Sequence, residues 1–201
     1  SGSMSGAPIE KAQRAAERVL SRLDARDTFQ IVNFSNDAST LGPRPIPATS
    51  DNVRRGVRYL RSLDGEGGTE MLRGIRAALD FPHEEGRMRL VSFMTDGYIG
   101  NETEILAAIH RRLGASRIFS FGVGSAVNRY LLERMAKVGR GAVAYVELDD
   151  EASDRAVDAF YDRVAHPALA DVSIDWGGAE VVDVYPARIP DLFVGRPIVV
   201  T

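Results

Sequence analysis

Short apolar segments typical of β-strands alternate with segments of helical periodicity along the first 165 residues. In the first helical segment, apolar residues recur every three or four positions from Ile9 to Leu23, and Pro8 suits a first helical turn. Residues 88–96 form a nearly continuous apolar run, which is typical of a strand buried on both faces. This alternation predicts an α/β fold with a Rossmann-like, doubly wound, mostly parallel sheet covered by helices on both faces.

The predicted elements are separated by short connections. Residues 38–49 contain three prolines, which permit at most a short edge strand. The first predicted helix ends near residue 24, and the second runs from a cap at Ser50 or Asp51 to Leu63. Further helices are predicted over residues 69–81, 102–113, 128–137 and 150–164, and Asn128 is the predicted cap of the helix over residues 128–137. Strands are predicted over residues 28–35, 88–96, 117–124 and 141–148.

The pattern changes after residue 166. Residues 171–176, 179–186 and 196–201 are strand-like, and no helical segment separates them. We therefore expect a first domain over residues 1–166 and the start of a β-rich segment over residues 167–201. Trp176 and Tyr185 are expected in the core of that β-rich segment.

Composition excludes several classes of function. The net charge is −3 and the basic residues are scattered, so no basic stripe indicates nucleic-acid binding. Cysteine is absent, which excludes thiolate zinc sites and cysteine nucleophiles. The three histidines lie far apart, and the longest apolar runs are of strand length. The sequence thus predicts neither a histidine metal site nor a membrane-spanning segment.

Polar clusters occur at three places where a doubly wound sheet binds ligands, beyond the carboxyl ends of its strands. Ser1 and Ser3 precede the first helix, Thr69 begins the third, and Asp96 follows the apolar strand. Hydroxyl and carboxylate oxygens suit Mg²⁺ or Mn²⁺ better than zinc. Each cluster also has a simpler interpretation: a linker sequence at Ser1-Gly2-Ser3, a helix cap at Thr69 and a turn at Asp96.

The order of these clusters resembles a von Willebrand factor A domain of the kind found in inter-α-trypsin inhibitor heavy chains and their bacterial relatives. The metal-ion-dependent adhesion site of that family reads D-x-S-x-S, then T, then D. Ser1 and Ser3 in SGSMSG resemble the two serines, Thr69 in GGTEM matches the threonine, and Asp96 in MTDG matches the second aspartate. The resemblance covers about residues 1–165. It implies a Mg²⁺ or Mn²⁺ ion held by Ser1, Ser3 and Thr69, with Asp96 acting through water.

The resemblance also implies a strand that this sequence does not contain. In the family, the leading aspartate ends a first strand in the middle of the sheet, and both would precede Ser1. We therefore expect the ion to bind the complete domain and to be absent from this chain. Unpaired strand edges cost about 1–3 kcal/mol for each buried polar group. We expect the position of this first strand to be filled by an upstream segment. The alternative is that residues 196–201 fill it, either from the same chain or from a neighbour in a swapped assembly.

By this resemblance the chain is a non-catalytic adhesion or protein-binding module whose metal takes a carboxylate from a partner protein. No general base or nucleophile lies near the predicted ligands. One alternative is a metal-free, structural A domain of a surface protein. Another is a Mg²⁺-dependent phosphoryl-transfer enzyme, although the chain lacks a GxxxxGK[ST] loop.

The tail that begins at His166 resembles the segment that follows this domain in bacterial proteins with an upstream inter-α-trypsin (VIT) domain. Some of those proteins resemble sortase targets on the surface of marine proteobacteria. The resemblance implies an upstream VIT domain in the full-length protein. It also implies an extracytoplasmic, membrane-anchored location at the cell surface.

Overall fold

The computed structural model describes residues 4–65, 70–82, 84–95, 100–124, 127–146, 149–164, 167–169, 172–185, 189 and 191–193. The chain divides into two compact units, Ser1–Val157 and Asp158–Thr201. The helices are α1 (Ala7–Ser21), α2 (Ser50–Arg61), α3 (Met71–Leu79), α4 (Glu102–Arg112), α5 (Arg129–Val138) and α6 (Asp150–Val164). Each predicted helix is present, and α6 has the predicted bounds.

The predicted amino-terminal cap of α5 is confirmed, whereas the one predicted for α2 is wrong. Asn128 caps α5 as predicted, because its Oδ1 accepts a hydrogen bond from the backbone N–H of Leu131 at 3.1 Å. The cap of α2 is neither Ser50 nor Asp51 but Thr49, whose Oγ1 accepts from the N–H of Asn52 at 3.3 Å. Thr49 has extended backbone geometry, as a capping residue requires, whereas Ser50 is already helical.

Replacing this cap should therefore weaken α2. Thr49→Ala is expected to lower the free energy of unfolding by about 1 kcal/mol, because the N–H of Asn52 loses its acceptor. Ser50→Ala is the matched control, since Ser50 is exposed next to the cap and makes no capping bond. Urea denaturation of both variants measures the difference, and equal stabilities would contradict the assignment of Thr49.

Three strands form the parallel sheet: β5 (Leu90–Thr95), β6 (Arg117–Val123) and β7 (Val143–Val146), in the order β5-β6-β7. In the register of this sheet, Thr95 pairs with Gly122, and Gly122 pairs with Tyr145. The carboxyl ends of the three strands therefore lie at one edge. The predicted parallel sheet is confirmed.

Strand β6 is buried along its whole length. Ile118 belongs to a core that α3, α4 and α5 form with the sheet. Successive side chains of a strand point to opposite faces, and Phe119 and Phe121 on the other face are also fully buried. Both α5 and α1 contact β6. Helices thus cover β6 on both faces, as the doubly wound pattern predicts.

Strand β5 is less buried than its apolar sequence predicts. Phe93 and Thr95 are buried, whereas Leu90 is 37% exposed and Ser92 is exposed. Among the described residues, β5 has a hydrogen-bonded neighbour on one side alone, β6. The expectation that this strand is buried on both faces is wrong, because in the described part of the chain β6 has a strand on each side and β5 has one on a single side.

The predicted strand over residues 28–35 is divided into β1 (Thr28–Phe29) and β2 (Val32–Phe34). They pair antiparallel with β4 (Ile46–Pro47) and β3 (Ala38–Thr40), respectively. Between the two pairs, the Gln30 side chain donates to the carbonyl of Gly42 at 2.7 Å and accepts from the N–H of Ile31 at 2.9 Å. The partner segment carries prolines, which lack an N–H, so one continuous ladder cannot form.

Among the described residues, no hydrogen-bonded ladder joins these two antiparallel pairs to the parallel sheet. An aromatic contact links them: the rings of Phe34 in β2 and Phe93 in β5 stack with their centroids 4.9 Å apart. Residues 196–201, one of the segments expected to take the place of the first strand, lie outside the described residues.

In the second unit, β8 (Pro167–Leu169) and β9 (Leu192–Phe193) pair antiparallel. Residues 172–176 and 179–185 form no described ladder, so the strands predicted there are wrong. A tight turn joins them: Gly177 and Gly178 have φ of 58° and 82°, and the N–H of Ala179 donates to the carbonyl of Trp176 at 3.0 Å. Trp176 is 43% and Tyr185 60% exposed. Neither is the core residue we expected, because no described strand packs on this segment.

Candidate metal centre

The four predicted ligands, Ser1, Ser3, Thr69 and Asp96, lie outside the described residues. Their positions in the structure therefore remain predictions. Described residues adjoin Ser3, Thr69 and Asp96 in the chain, and the positions of these neighbours indicate where the candidate centre would lie.

The neighbour of Asp96 is Thr95, the last residue of β5. Thr95 is fully buried and lies opposite Gly122 of β6. Gly122 has no room for a side chain, because an added Cβ would lie 2.6 Å from Val127 and 2.8 Å from Tyr145. The strand that precedes Asp96 is thus fixed in register at the carboxyl edge of the sheet.

The neighbours of Ser3 and of the loop containing Thr69 are in contact with each other. Met4 is 3% exposed, and a Cβ added to Gly65 would lie 2.5 Å from the Cα of Ser5. Such a close approach of two backbones requires glycine at position 65. The structure therefore brings Met4 and Ser5 against Gly65, which lies four residues before Thr69 in the chain, and this contact agrees with a shared site.

Asn101 is a polar residue at this edge that our sequence reasoning missed. It precedes α4, its Oδ1 is buried, and among the described residues this oxygen has no hydrogen-bond partner. Next to it, the Oε1 of Glu102 accepts from the Nδ2 of Asn128 at 3.2 Å. The signal in the sequence is the position of Asn101 at a helix start, five residues after Asp96.

The predicted donors fit a hard divalent cation. Three of them are hydroxyl oxygens and one is a carboxylate, the oxygen set that Mg²⁺ and Mn²⁺ prefer. The buried Oδ1 of Asn101, which accepts no hydrogen bond from the described residues, is a further oxygen close to Asp96 in the chain. Within the described part of the chain, no group of three or more histidine, aspartate or glutamate residues forms a metal cluster elsewhere.

A second polar group lies at the same edge. The guanidinium carbon of Arg129 is 4.0 Å from the centroid of the Tyr145 ring, and the hydroxyl of Tyr145 donates to the Oε1 of Glu133 at 3.1 Å. Burial, followed by the hydrogen bond and the negative charge of Glu133, raises the pKa of Tyr145. The tyrosine therefore stays neutral at physiological pH and remains a hydrogen-bond donor.

Within the described residues, no helix is both long and apolar enough to cross a membrane.

Two relatives match nearly all or all of this chain. A von Willebrand factor A domain-containing protein of Dictyostelium discoideum is 29% identical over 194 residues, which are 96% of this chain and 21% of that protein. Inter-alpha-trypsin inhibitor heavy chain H4 of Bos taurus is 28% identical over 213 residues, which cover 100% of this chain and 23% of the heavy chain. The chain thus spans less than a quarter of the length of these two relatives.

Solved structures have the same fold. A von Willebrand factor type A protein from Catenulispora acidiphila superposes with a TM-score of 0.66 at 17% identity, over 81% of this chain and 40% of that one. Proximal thread matrix protein 1 from the mussel byssus, solved with a zinc-occupied metal-ion-dependent adhesion motif, gives 0.54 at 16% identity, over 75% of this chain and 40% of that one. The family model for the von Willebrand factor type A domain matches residues 1–145. The parallel sheet, the relatives and this match together show that the chain belongs to the von Willebrand factor type A domain family.

Proposed function

We propose that this domain is a non-catalytic protein-binding module whose divalent metal takes a carboxylate from its partner. Von Willebrand factor A domains are typically adhesion or protein-binding modules. The observation that carries the proposal is the contact of Ser5 with Gly65, while the buried Thr95 ends β5 immediately before Asp96. These contacts support a site shared by the three predicted ligand segments.

In the proposed site, Ser1, Ser3 and Thr69 would hold the ion by their hydroxyl oxygens, and Asp96 would act through water. The ion supplies a Lewis acid to which a partner's carboxylate binds. A site with few negative charges leaves the ion electrophilic. The zinc-occupied motif in the mussel byssus protein supports divalent metal binding within the fold family, and Mg²⁺ or Mn²⁺ is our proposal for this chain.

Binding rather than turnover follows from the residues beside the site. Asn101 and Asn128 are amides, and Glu102 accepts a hydrogen bond from Asn128. Nothing in this group forms a nucleophile–base pair, so the described edge of the sheet offers groups that bind and orient a ligand. We propose a partner that presents an acidic side chain.

A further part of this proposal concerns the domains and the location of the full-length protein. The resemblance of the tail to bacterial surface proteins supports an upstream VIT domain and a cell-surface location. The matched heavy chain, of which this domain covers 23%, likewise carries the domain within a much longer chain.

The test is metal titration of the domain extended with its native upstream sequence. Asp96→Ala and Thr69→Ala should each abolish calorimetric binding of Mn²⁺, because each removes an oxygen that holds the ion or its water. Glu85→Ala is the control, since Glu85 is an exposed carboxylate outside this edge of the sheet. Equal Mn²⁺ affinity of Asp96→Ala and Glu85→Ala would overturn the assignment of the metal site.

A further inference from the structure

Helix α2 and the loop that precedes β4 carry four exposed arginines, which we call the α2 patch: Arg44, Arg54, Arg55 and Arg58. The three arginines of α2 lie within a sector of about 100° around the helix, opposite the buried Gly56 and Leu60. The acidic residue of α2 is Asp51, which forms an ion pair with Arg54. Four arginines against one aspartate leave the patch with an excess of positive charge.

A side-chain contact fixes the loop beside the helix. The guanidinium of Arg55 donates from Nη2 to the carbonyl of Leu41 at 3.1 Å, and a Cβ added to Gly42 would lie 3.9 Å from the same nitrogen. The carbonyl of Gly42 accepts from the Gln30 side chain at 2.7 Å. Arg44 follows Gly42 by two residues, which span at most about 7 Å. The fold therefore places Arg44 next to an arginine that lies 11 positions later in the sequence.

The backbone around Arg44 has little conformational freedom. Arg44 lies between Pro43 and Pro45. The rings of these prolines fix their own φ angles, and a residue that precedes proline is restricted to extended conformations. Less backbone entropy is lost when a ligand binds to a segment that is already ordered. The loop thus presents the side chain of Arg44 from a preorganised backbone.

The protein leaves most of this charge without a counter-ion. Among the described residues, no carboxylate pairs with Arg44, Arg55 or Arg58, and the guanidinium groups of Arg44 and Arg58 donate no hydrogen bond. Arg61, at the end of the same helix, does pair with Glu17 at 2.8 Å. Arg44 and Arg58 therefore keep their hydrogen-bond donors available to a ligand.

The stability of α2 explains part of this arrangement. Arg58 lies in the last turn, where the helix dipole favours a cation. Arg54 and Arg55 lie in the middle of the helix, three and four positions before Arg58, and like charges at these spacings destabilise a helix. An anionic ligand on the patch would remove this repulsion.

We propose that the α2 patch binds an acidic segment of a partner protein. A guanidinium binds a carboxylate through two parallel hydrogen bonds. The patch has carboxylates at its margin, Asp51 in α2 and Glu17 beside Arg61, which would repel a long polyanion such as nucleic acid. A short acidic segment fits between them. This interaction requires no metal ion, so it goes beyond the proposed function and does not depend on it.

The test compares two labelled peptides with blocked termini, Gly-Glu-Glu-Glu-Glu-Gly and Gly-Gln-Gln-Gln-Gln-Gly. Fluorescence anisotropy in EDTA and at low ionic strength, with the upstream-extended domain, should show about tenfold tighter binding of the glutamate peptide. The double variant Arg44→Gln, Arg58→Gln should lose this preference. The double variant Arg76→Gln, Arg111→Gln should retain it, because it removes the same charge from exposed positions of α3 and α4. Melting temperatures verify that both variants fold.

The other outcomes contradict the proposal. Equal affinity of the two double variants for the glutamate peptide would show that the domain attracts anions without using the α2 patch. Tighter binding of a labelled single-stranded oligonucleotide with four phosphates, lost in the patch variant, would assign the surface to nucleic acid. Self-association in sedimentation experiments without peptide, lost in the patch variant, would show that a second copy of this chain occupies the surface. EDTA keeps each of these results independent of whether the domain binds a metal.

Discussion

Gly141→Ala is expected to lower the melting temperature of the domain by about 6–12 °C. A Cβ at this position would lie 2.0 Å from the carbonyl oxygen of Ile118 and 2.7 Å from its carbonyl carbon. Ile118 belongs to β6, which is buried throughout and cannot move aside. Overpacking of this kind costs about 3 kcal/mol, and each kcal/mol lowers the melting temperature of a domain of this size by about 2–4 °C.

Gly100→Ala is the matched control. Nothing lies within 4 Å of a Cβ added to Gly100, and its backbone does not have the positive φ that disfavours alanine. Differential scanning calorimetry of both variants should show the decrease for Gly141→Ala alone. A Gly141→Ala protein as stable as Gly100→Ala would show that a Cβ at position 141 does not clash with the backbone of Ile118 in β6.

A strand supplied along the edge of β5 that has no neighbour among the described residues should raise the melting temperature by about 10 °C or more. About six hydrogen bonds at roughly 1 kcal/mol each would form, before the apolar contacts are counted. Three observations indicate that β5 can accept a further strand. Among the described residues β5 pairs on one side only, Leu90 is 37% exposed, and no described ladder joins β2 to β5.

The comparison is between residues 1–201 and the same chain with its native upstream sequence. The matched control carries two prolines in that upstream sequence, because proline lacks the N–H that pairs in a sheet. Thermal denaturation of the three proteins measures the effect, and mass spectrometry verifies the length of each chain. Equal melting temperatures for the native and the proline-bearing upstream sequences would show that no added strand pairs with β5.

Local patterns predicted the helices well because a helix is satisfied by its own backbone. The bounds of α6 and the cap at Asn128 depend on residues within one turn. Strands depend on partners that are distant in the sequence. Residues 28–35 have a strand composition, yet the prolines of the partner segment divide them. The alternating tail around Trp176 likewise requires a paired strand, which the described residues do not contain.

The candidate site was predictable in its order along the chain and not in its surroundings. The serines, Thr69 and Asp96 are recognisable because their spacing matches a motif. Asn101 and Arg129 are not, because burial of one oxygen and stacking on Tyr145 depend on side chains from other elements.

The complete burial of β6 has a consequence for how the domain opens. Every residue of this strand is buried, and Ser120, Phe121 and Gly122 are paired with a strand on each side. Local fluctuations that expose loops or helix ends do not reach these amides, so their exchange with deuterium requires unfolding of the whole domain. The most slowly exchanging amides of β6 therefore report the stability of the whole domain. Their exchange rates report the free energy of unfolding under native conditions, without denaturant or heat.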